Sequence, residues 1–175
     1  MHQFILIIAV LFISSASLVE ASVPRLQKPE NFNLTNNQLL EGSHDGENYN
    51  AIHIYAMSGQ TERIRQLLNN SAASVFEATN YGNTPFHLAC EFGQEQVIHL
   101  LLNHNNDVGK RHELVLKQNL YKRTGLHLAT LKGNVRSVKI IRDEDENGDL
   151  LGVDDMFKKK ALYYAYRALF TSQGK

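Results

Sequence analysis

The 175 residues carry 18 basic and 18 acidic side chains, and 43% of the chain is hydrophobic, which suits a single domain with its own core. Zero formal net charge and an isoelectric point near 7.1 leave no general pull toward nucleic acid or an anionic membrane surface, so neither is an expected partner. Cys90 is the one cysteine. An intramolecular disulfide is therefore excluded, and stability must come from packing.

Phe4 to Ile13 is a ten-residue apolar run, followed by Ser14 to Ser17 and then by Val19-Glu20-Ala21. The run is too short to span a bilayer, which takes about 20 residues, and Val19 and Ala21 fit the small-residue positions before a cleavage site. Residues 1–21 read as a cleaved secretory signal, with an uncleaved anchor or a buried helix as the alternatives, so a secreted or periplasmic location is expected. Residues 22–44, with Pro24 and Pro29 and little periodicity, read as a linker or irregular arm. Asn33 and Asn69 begin glycosylation-type triplets that matter only in a eukaryotic secretory pathway.

From residue 45 a pattern recurs. Asn83-Thr84-Pro85-Phe86-His87-Leu88-Ala89-Cys90-Glu91-Phe92-Gly93 is flanked by Asn50-Ala51-Ile52-His53-Ile54-Tyr55-Ala56-Met57-Ser58-Gly59 and by Thr124-Gly125-Leu126-His127-Leu128-Ala129-Thr130-Leu131-Lys132-Gly133. The three histidines are 34 and 40 residues apart. Thr84 is a good N-cap and Pro85 suits the first helical position, where a missing N–H costs nothing. Gly59, Gly93 and Gly133 are placed to end each helix in the left-handed conformation. Second helices are expected over Thr61 to Leu68, Glu95 to Leu102 and Val135 to Ile141, each with one apolar face. Such a helix pair cannot bury that face alone, so neighbouring units must stack.

These phrases resemble the ankyrin-repeat core T-P-L-H-x-A-x-x-x-G, whose period is about 33 residues. The resemblance implies an all-α solenoid of stacked helix-turn-helix units with β-turn or hairpin tips. Its units would span 45–78, 79–118 (with an insertion) and 119–152, and 153–175 would form a degenerate cap. In the cap, Tyr163 takes the histidine position and Leu169 replaces the glycine.

Few residues suggest chemistry. The resemblance makes His53, His87 and His127 structural imidazoles bonded across the helix-turn backbone; one helix spacing apart, about 10 Å, they could not share a metal. His99, His104 and His112 read as surface residues, and Cys90 as a small core filler. Asp143, Asp145, Asn147, Asp149 and Asp154 fit the calcium-loop pattern D-x-[DN]-x-[DN]-G, with Asp154 where a bidentate Glu is usual. The same segment also reads as an acidic, solvated hairpin between units, so no metal site is assigned and calcium stabilisation is the alternative function. Lys158, Lys159 and Lys160 read as a solvated cap surface. No cofactor and no enzymatic activity are expected.

The resemblance implies a non-enzymatic scaffold that binds another protein through its turn tips and the exposed side of its first helices. By position, the tips offer Glu47 and Tyr49, then Tyr81 and Asn83, then Tyr121 and Arg123. The helices offer Met57 and Ser58, then Glu91 and Phe92, then Leu131 and Lys132. Tyr, Phe, Met and Arg are the types enriched in interface cores. By analogy with family members in intracellular bacteria, the target would be a host protein. A monomer is expected.

Overall fold

The computed structural model describes residues 48–104, 107–145 and 148–172. The signal segment, the arm, Glu47, Asn33 and Asn147 lie outside the described residues. Within them the chain forms α1 (Ala51–Ser58), α2 (Thr61–Asn69), α3 (Pro85–Phe92), α4 (Glu95–Asn103), α5 (Val108–Leu116), α6 (Gly125–Lys132), α7 (Val135–Asp143) and α8 (Ala161–Ser172), with a 3-10 turn at Leu150–Gly152. No helix among the described residues is long and apolar enough to cross a membrane.

The start and stop signals act as the sequence suggests. Asn50, Thr84 and Thr124 cap α1, α3 and α6 in extended backbone, each paired reciprocally with the histidine three residues on. Gly59, Gly93 and Gly133 end the same helices at φ of 75°, 67° and 72°, a region other residues enter at a cost. After one intervening residue the second helix begins. Its first helix packs on the first helix of the next unit, α1 on α3, α3 on α6 and α6 on α8, while α2, α4 and α7 form a second layer. The core runs unbroken between the layers through Ile52, Ile64, Phe86, Leu88, Ile98, Leu101, Leu126 and Ile141.

Neighbouring units are also tied by side-chain amides. Gln94 Nε2 donates to the Met57 carbonyl at 2.6 Å, and Asn134 Nδ2 donates to the Cys90 and Glu91 carbonyls at 2.9 and 2.7 Å. These are carbonyls that a helix end leaves without an intrahelical donor. A Cβ added at Gly59 or Gly93 would meet those same amides at 2.6 and 3.1 Å, whereas at Gly133 it would meet nothing within 4 Å. Among the described residues no second helix follows α8 to supply such an amide at Gly133.

The insertion in the second unit is a helix, α5, which the histidine spacing signals only as extra length. Asp107 caps it by accepting from the Gly109 and Lys110 N–H groups. Leu114 and Val115 are buried in the core. Arg111 Nε donates to the Leu102 carbonyl at 3.2 Å and its Nη1 pairs with Glu144 Oε2 at 3.2 Å, so α5 straps α4 to the end of α7.

The cap differs from its expected alignment at one position. Tyr163, expected in the histidine place, is exposed, and Tyr164 instead turns inward with Ala161 and Ala165. The Tyr164 ring meets His127 edge-on at 6.4 Å. Among the described residues α8 has a stacked neighbour on one side only, α6, and its buried face narrows to the positions that touch it. The backbone stays helical through Leu169.

Candidate functional site

Three turns of one geometry carry the tips. Gly82 N–H donates to Thr79 O, Lys122 N–H to Asn119 O and Lys158 N–H to Asp155 O, and each turn is closed by a bond to the residue that precedes the next helix or its cap: Thr79 N–H to Asn83 O, Asn119 N–H to Arg123 O, Asp155 N–H to Lys159 O. Gly82, Lys122 and Lys158 all have positive φ, at 75°, 55° and 56°. This is a three-residue hairpin loop closed by a left-handed residue. The opening side chain of each turn accepts from the loop: Thr79 from Asn83 N–H, Asn119 from Tyr121 and Arg123 N–H, Asp155 from Phe157 and Lys159 N–H. Successive tips are joined by single rungs, Leu120 N–H to Tyr81 O and Met156 N–H to Tyr121 O, both 2.9 Å.

On this frame the residues expected to contact a partner divide. Phe92, Tyr121 and Leu131 are exposed large apolar side chains. Tyr81 is half-buried and stacks on Tyr121, with ring centroids 6.1 Å apart and 26° between planes. Glu91 and Lys132 form an ion pair at 3.1 Å between α3 and α6. Tyr49 and Met57 are only partly exposed and pack against the core. Asn83 is a correction: it is 7% exposed, and its Oδ1 accepts from Asn119 Nδ2 at 2.8 Å. The second tip position faces the next turn and sets the tip spacing.

Arg123 is also drawn inward. Its guanidinium lies 5.8 Å from the Tyr121 ring and 5.5 Å from the Tyr164 ring, Nε stands 3.6 Å from Asp155 Oδ2, and Nη2 donates to the Tyr164 hydroxyl at 3.3 Å. The Tyr164 hydroxyl donates in turn to Asp155 Oδ2. Burial alone would raise the Asp155 carboxyl. Hydrogen bonds from Tyr164 and from the Lys159 and Phe157 N–H groups, with Arg123 beside it, outweigh that and hold it below its ordinary value. Burial and the Asp155 bond push Tyr164 upward. Charges so committed lock the cap to the third unit.

Sequence reasoning missed three exposed tip residues: Leu120 at 69%, Met156 at 48% and Phe157 at 59% exposure. A signal was present. Aligning Asp155-Met156-Phe157-Lys158-Lys159 with Asn119-Leu120-Tyr121-Lys122-Arg123 identifies the cap's turn as a fourth tip, with an apolar pair at the same two places.

The histidines hold the units together. Asn50, Thr84 and Thr124 N–H donate to Nδ1 of His53, His87 and His127 at 3.3, 3.2 and 3.2 Å. On the far side Nε2 of each faces a carbonyl of the segment leading into the next unit's first helix: Glu77 at 3.0 Å, Arg123 at 3.1 Å and Lys159 at 3.2 Å. A ring nitrogen accepting from an N–H and another facing a carbonyl require the neutral Nε2–H form. Burial lowers His87 to about 4 and also lowers His127. Cys90 is fully buried, and burial raises its thiol well above the ordinary value, which removes the thiolate that reactivity needs.

The acidic segment is spent on local contacts. Asp143 pairs with Arg142 at 2.6 Å, Asp145 accepts from Leu150 N–H at 3.1 Å, and Asp149 stands 3.8 Å from His112 Nε2. Asp154 sits in a single antiparallel bridge with Lys160. Among the described residues no three His, Cys, Asp or Glu side chains converge to hold a metal ion; Asn147 lies outside them. Calcium binding would compete with the Asp143–Arg142 ion pair and the Leu150 bond to Asp145. The melting temperature is therefore expected to be the same in chelator and in millimolar calcium, and a calcium-dependent rise in a thermal scan would reinstate the loop as a site.

Two comparisons bear on this arrangement. A family model described as ankyrin repeats in three copies matches residues 6–112, more than half of the chain. The third stacked unit and the cap lie beyond that match. A 70-residue segment is 33% identical to "Ankyrin repeat domain-containing protein 13C" of Xenopus tropicalis, and a 70-residue segment is 31% identical to "Ankyrin repeat domain-containing protein 13C-A" of Xenopus laevis. Each match takes in 40% of this chain and 13% of the relative. Repeats of this kind generally bind other proteins and act as non-enzymatic scaffolds. Capped helix pairs, bridging histidines, laddered tips and the family match agree, and the chain belongs to the ankyrin-repeat family.

Proposed function

We propose that this chain is an exported, non-enzymatic adaptor that binds another protein across the tips and first helices of its repeats. The observation that carries the reading is the run of exposed apolar side chains on successive units: Tyr121 and Leu120 with Phe157 and Met156 at equivalent places on the tips, and Phe92 and Leu131 in the last turns of the first helices α3 and α6. An interface core needs such anchors, and a few of them carry most of the affinity.

Capture of partners by the immobilised protein, followed by cross-linking, tests this. Phe92→Ala and Tyr121→Ala are expected to weaken capture about tenfold or more, since truncating an aromatic anchor costs about 2 kcal/mol. Both leave the fold intact, because neither side chain is buried. Gln66→Ala, on the exposed face of α2, is expected to leave capture unchanged. If the α2 change is the damaging one and the aromatic changes are silent, the binding face lies on the second-helix layer. Export rests on the apolar run Phe4 to Ile13 and the Val19-Glu20-Ala21 site. Protein from the non-cytoplasmic fraction should begin at Ser22, and a cytosolic protein that retains Met1 refutes the location. A host protein as the partner extends this reading and is decided by the identity of what is captured.

A further inference from the structure

We propose that the tips of the third and fourth units form a docking surface for an acidic, apolar-anchored segment of a partner protein, a refinement that rests on the interaction-module reading above. The first argument is charge. On a chain of zero formal net charge, this end carries exposed Lys117, Lys122, Lys158 and Lys160, and none of the four pairs with a carboxylate among the described residues. The carboxylate inside the tips, Asp155, is buried and committed to Arg123 and Tyr164. Lys159 lies 4.6 Å over the Tyr163 ring. Asp154 is the exposed acid beside the patch, one against four lysines. An acidic ligand is favoured and a basic one repelled.

The second argument is the ladder. Tyr81 O and Tyr121 O each accept from the next tip, and the equivalent acceptor on the fourth unit's tip, Phe157 O, receives no N–H among the described residues. An incoming extended chain can supply the next rung, with its side chains over Met156 and Phe157. Main-chain bonds then give affinity and the flanking side chains give selectivity. A flat anionic bilayer would also favour lysines and apolar tips. It fits less well, because the apolar positions continue to Phe92 and Leu131 at the far ends of eight-residue helices, about 12 Å along the helix axis from the tips. A peptide can follow that line.

The test uses the full chain against a random peptide library displayed on phage, then fluorescence anisotropy with the selected peptides synthesised. Selected sequences are expected to combine Asp or Glu with Leu, Phe or Tyr. Lys122→Asp with Lys158→Asp, residues that tolerate the left-handed backbone, should weaken their binding about tenfold or more, as should Leu120→Ser with Phe157→Ser. Rising salt should weaken it as well. Circular dichroism and melting of both double variants should match the parent. Several outcomes overturn the proposal: no enriched peptide, enrichment without acidic residues, or selected peptides that bind the aspartate double variant as well as the parent. Cosedimentation with phosphatidylserine vesicles that is lost in Leu120→Ser with Phe157→Ser would make the surface a lipid contact and also overturn it. Peptides that cross-link beside Phe92 and Leu131 yet ignore the tip variants would sink this inference alone and leave the interaction-module reading standing.

Discussion

Acidification from pH 7 to pH 4 is expected to loosen the stack, with most of the loss below pH 6.5. His87 is fully buried, its Nδ1 accepts from the Thr84 N–H and its Nε2 faces the Arg123 carbonyl, so a proton on Nδ1 would replace an acceptor with a donor aimed at a donor. Burial accordingly lowers its pKa from 6.5 to about 4. The folded value lies below the unfolded one, so the unfolded chain binds the proton first. The stabilisation is full above pH 6.5 and is lost as the pH falls through the folded value. For His87 the loss is on the order of 3 kcal/mol by pH 4. His127 shifts in the same direction and adds to it. Whole domains have only about 5–15 kcal/mol of stability, so this is a large share. Asp155, whose carboxyl is also held low, contributes in the same direction at more acidic pH. Denaturant midpoints measured from pH 7.5 to pH 4 check the slope. His87→Gln should be less stable at pH 7 by about 1–3 kcal/mol and should show a shallower pH dependence. A parent protein whose midpoint is flat over this range contradicts the neutral histidine bridges.

Phe86→Ala is expected to cost about 3–5 kcal/mol, the range for emptying a buried aromatic site. Phe86 is 0% exposed and joins α3 to α6 in the core. The approach is close because the third unit carries Gly125 where the second has Pro85. A Cβ at Gly125 would lie 2.7 Å from Phe86 Cε1 and 2.8 Å from Cys90 Sγ. Both neighbours are fully buried and have no free end to move aside. Gly125→Ala should therefore cost about 1–3 kcal/mol through overpacking, although glycine-to-alanine changes at unstrained positions usually stabilise. In the double variant the added methyl faces the space that the ring vacated. The combined loss should then fall short of the sum by about 1 kcal/mol, the coupling expected of residues in contact. Urea denaturation of the two single variants and the double variant measures this, and strict additivity would show that the two residues do not share the site.

Local order was written in the chain itself. Thr84 and Pro85 begin a helix, Gly93 ends it, and the same signals return around His53 and His127, because caps and left-handed stops act within a few residues and need no distant partner. The apolar faces of the second helices likewise require stacked neighbours, so the all-helical layers follow from pattern alone. Surface assignments did not follow. Position in the repeat suggested Asn83 and Arg123 as partner contacts, yet Asn83 is spent on Asn119, and Arg123 on Asp155, Tyr164 and Tyr121. Those partners lie 32 to 41 residues away, except Tyr121 two residues before it, and only stacking brings them near. The insertion read as length until α5 placed Arg111 against Leu102 and Glu144. The cap's inward tyrosine was set by which face meets α6 rather than by alignment to a histidine. Burial and charge pairing depend on what another unit presents at each position, a relation between distant segments that periodicity within one segment does not encode.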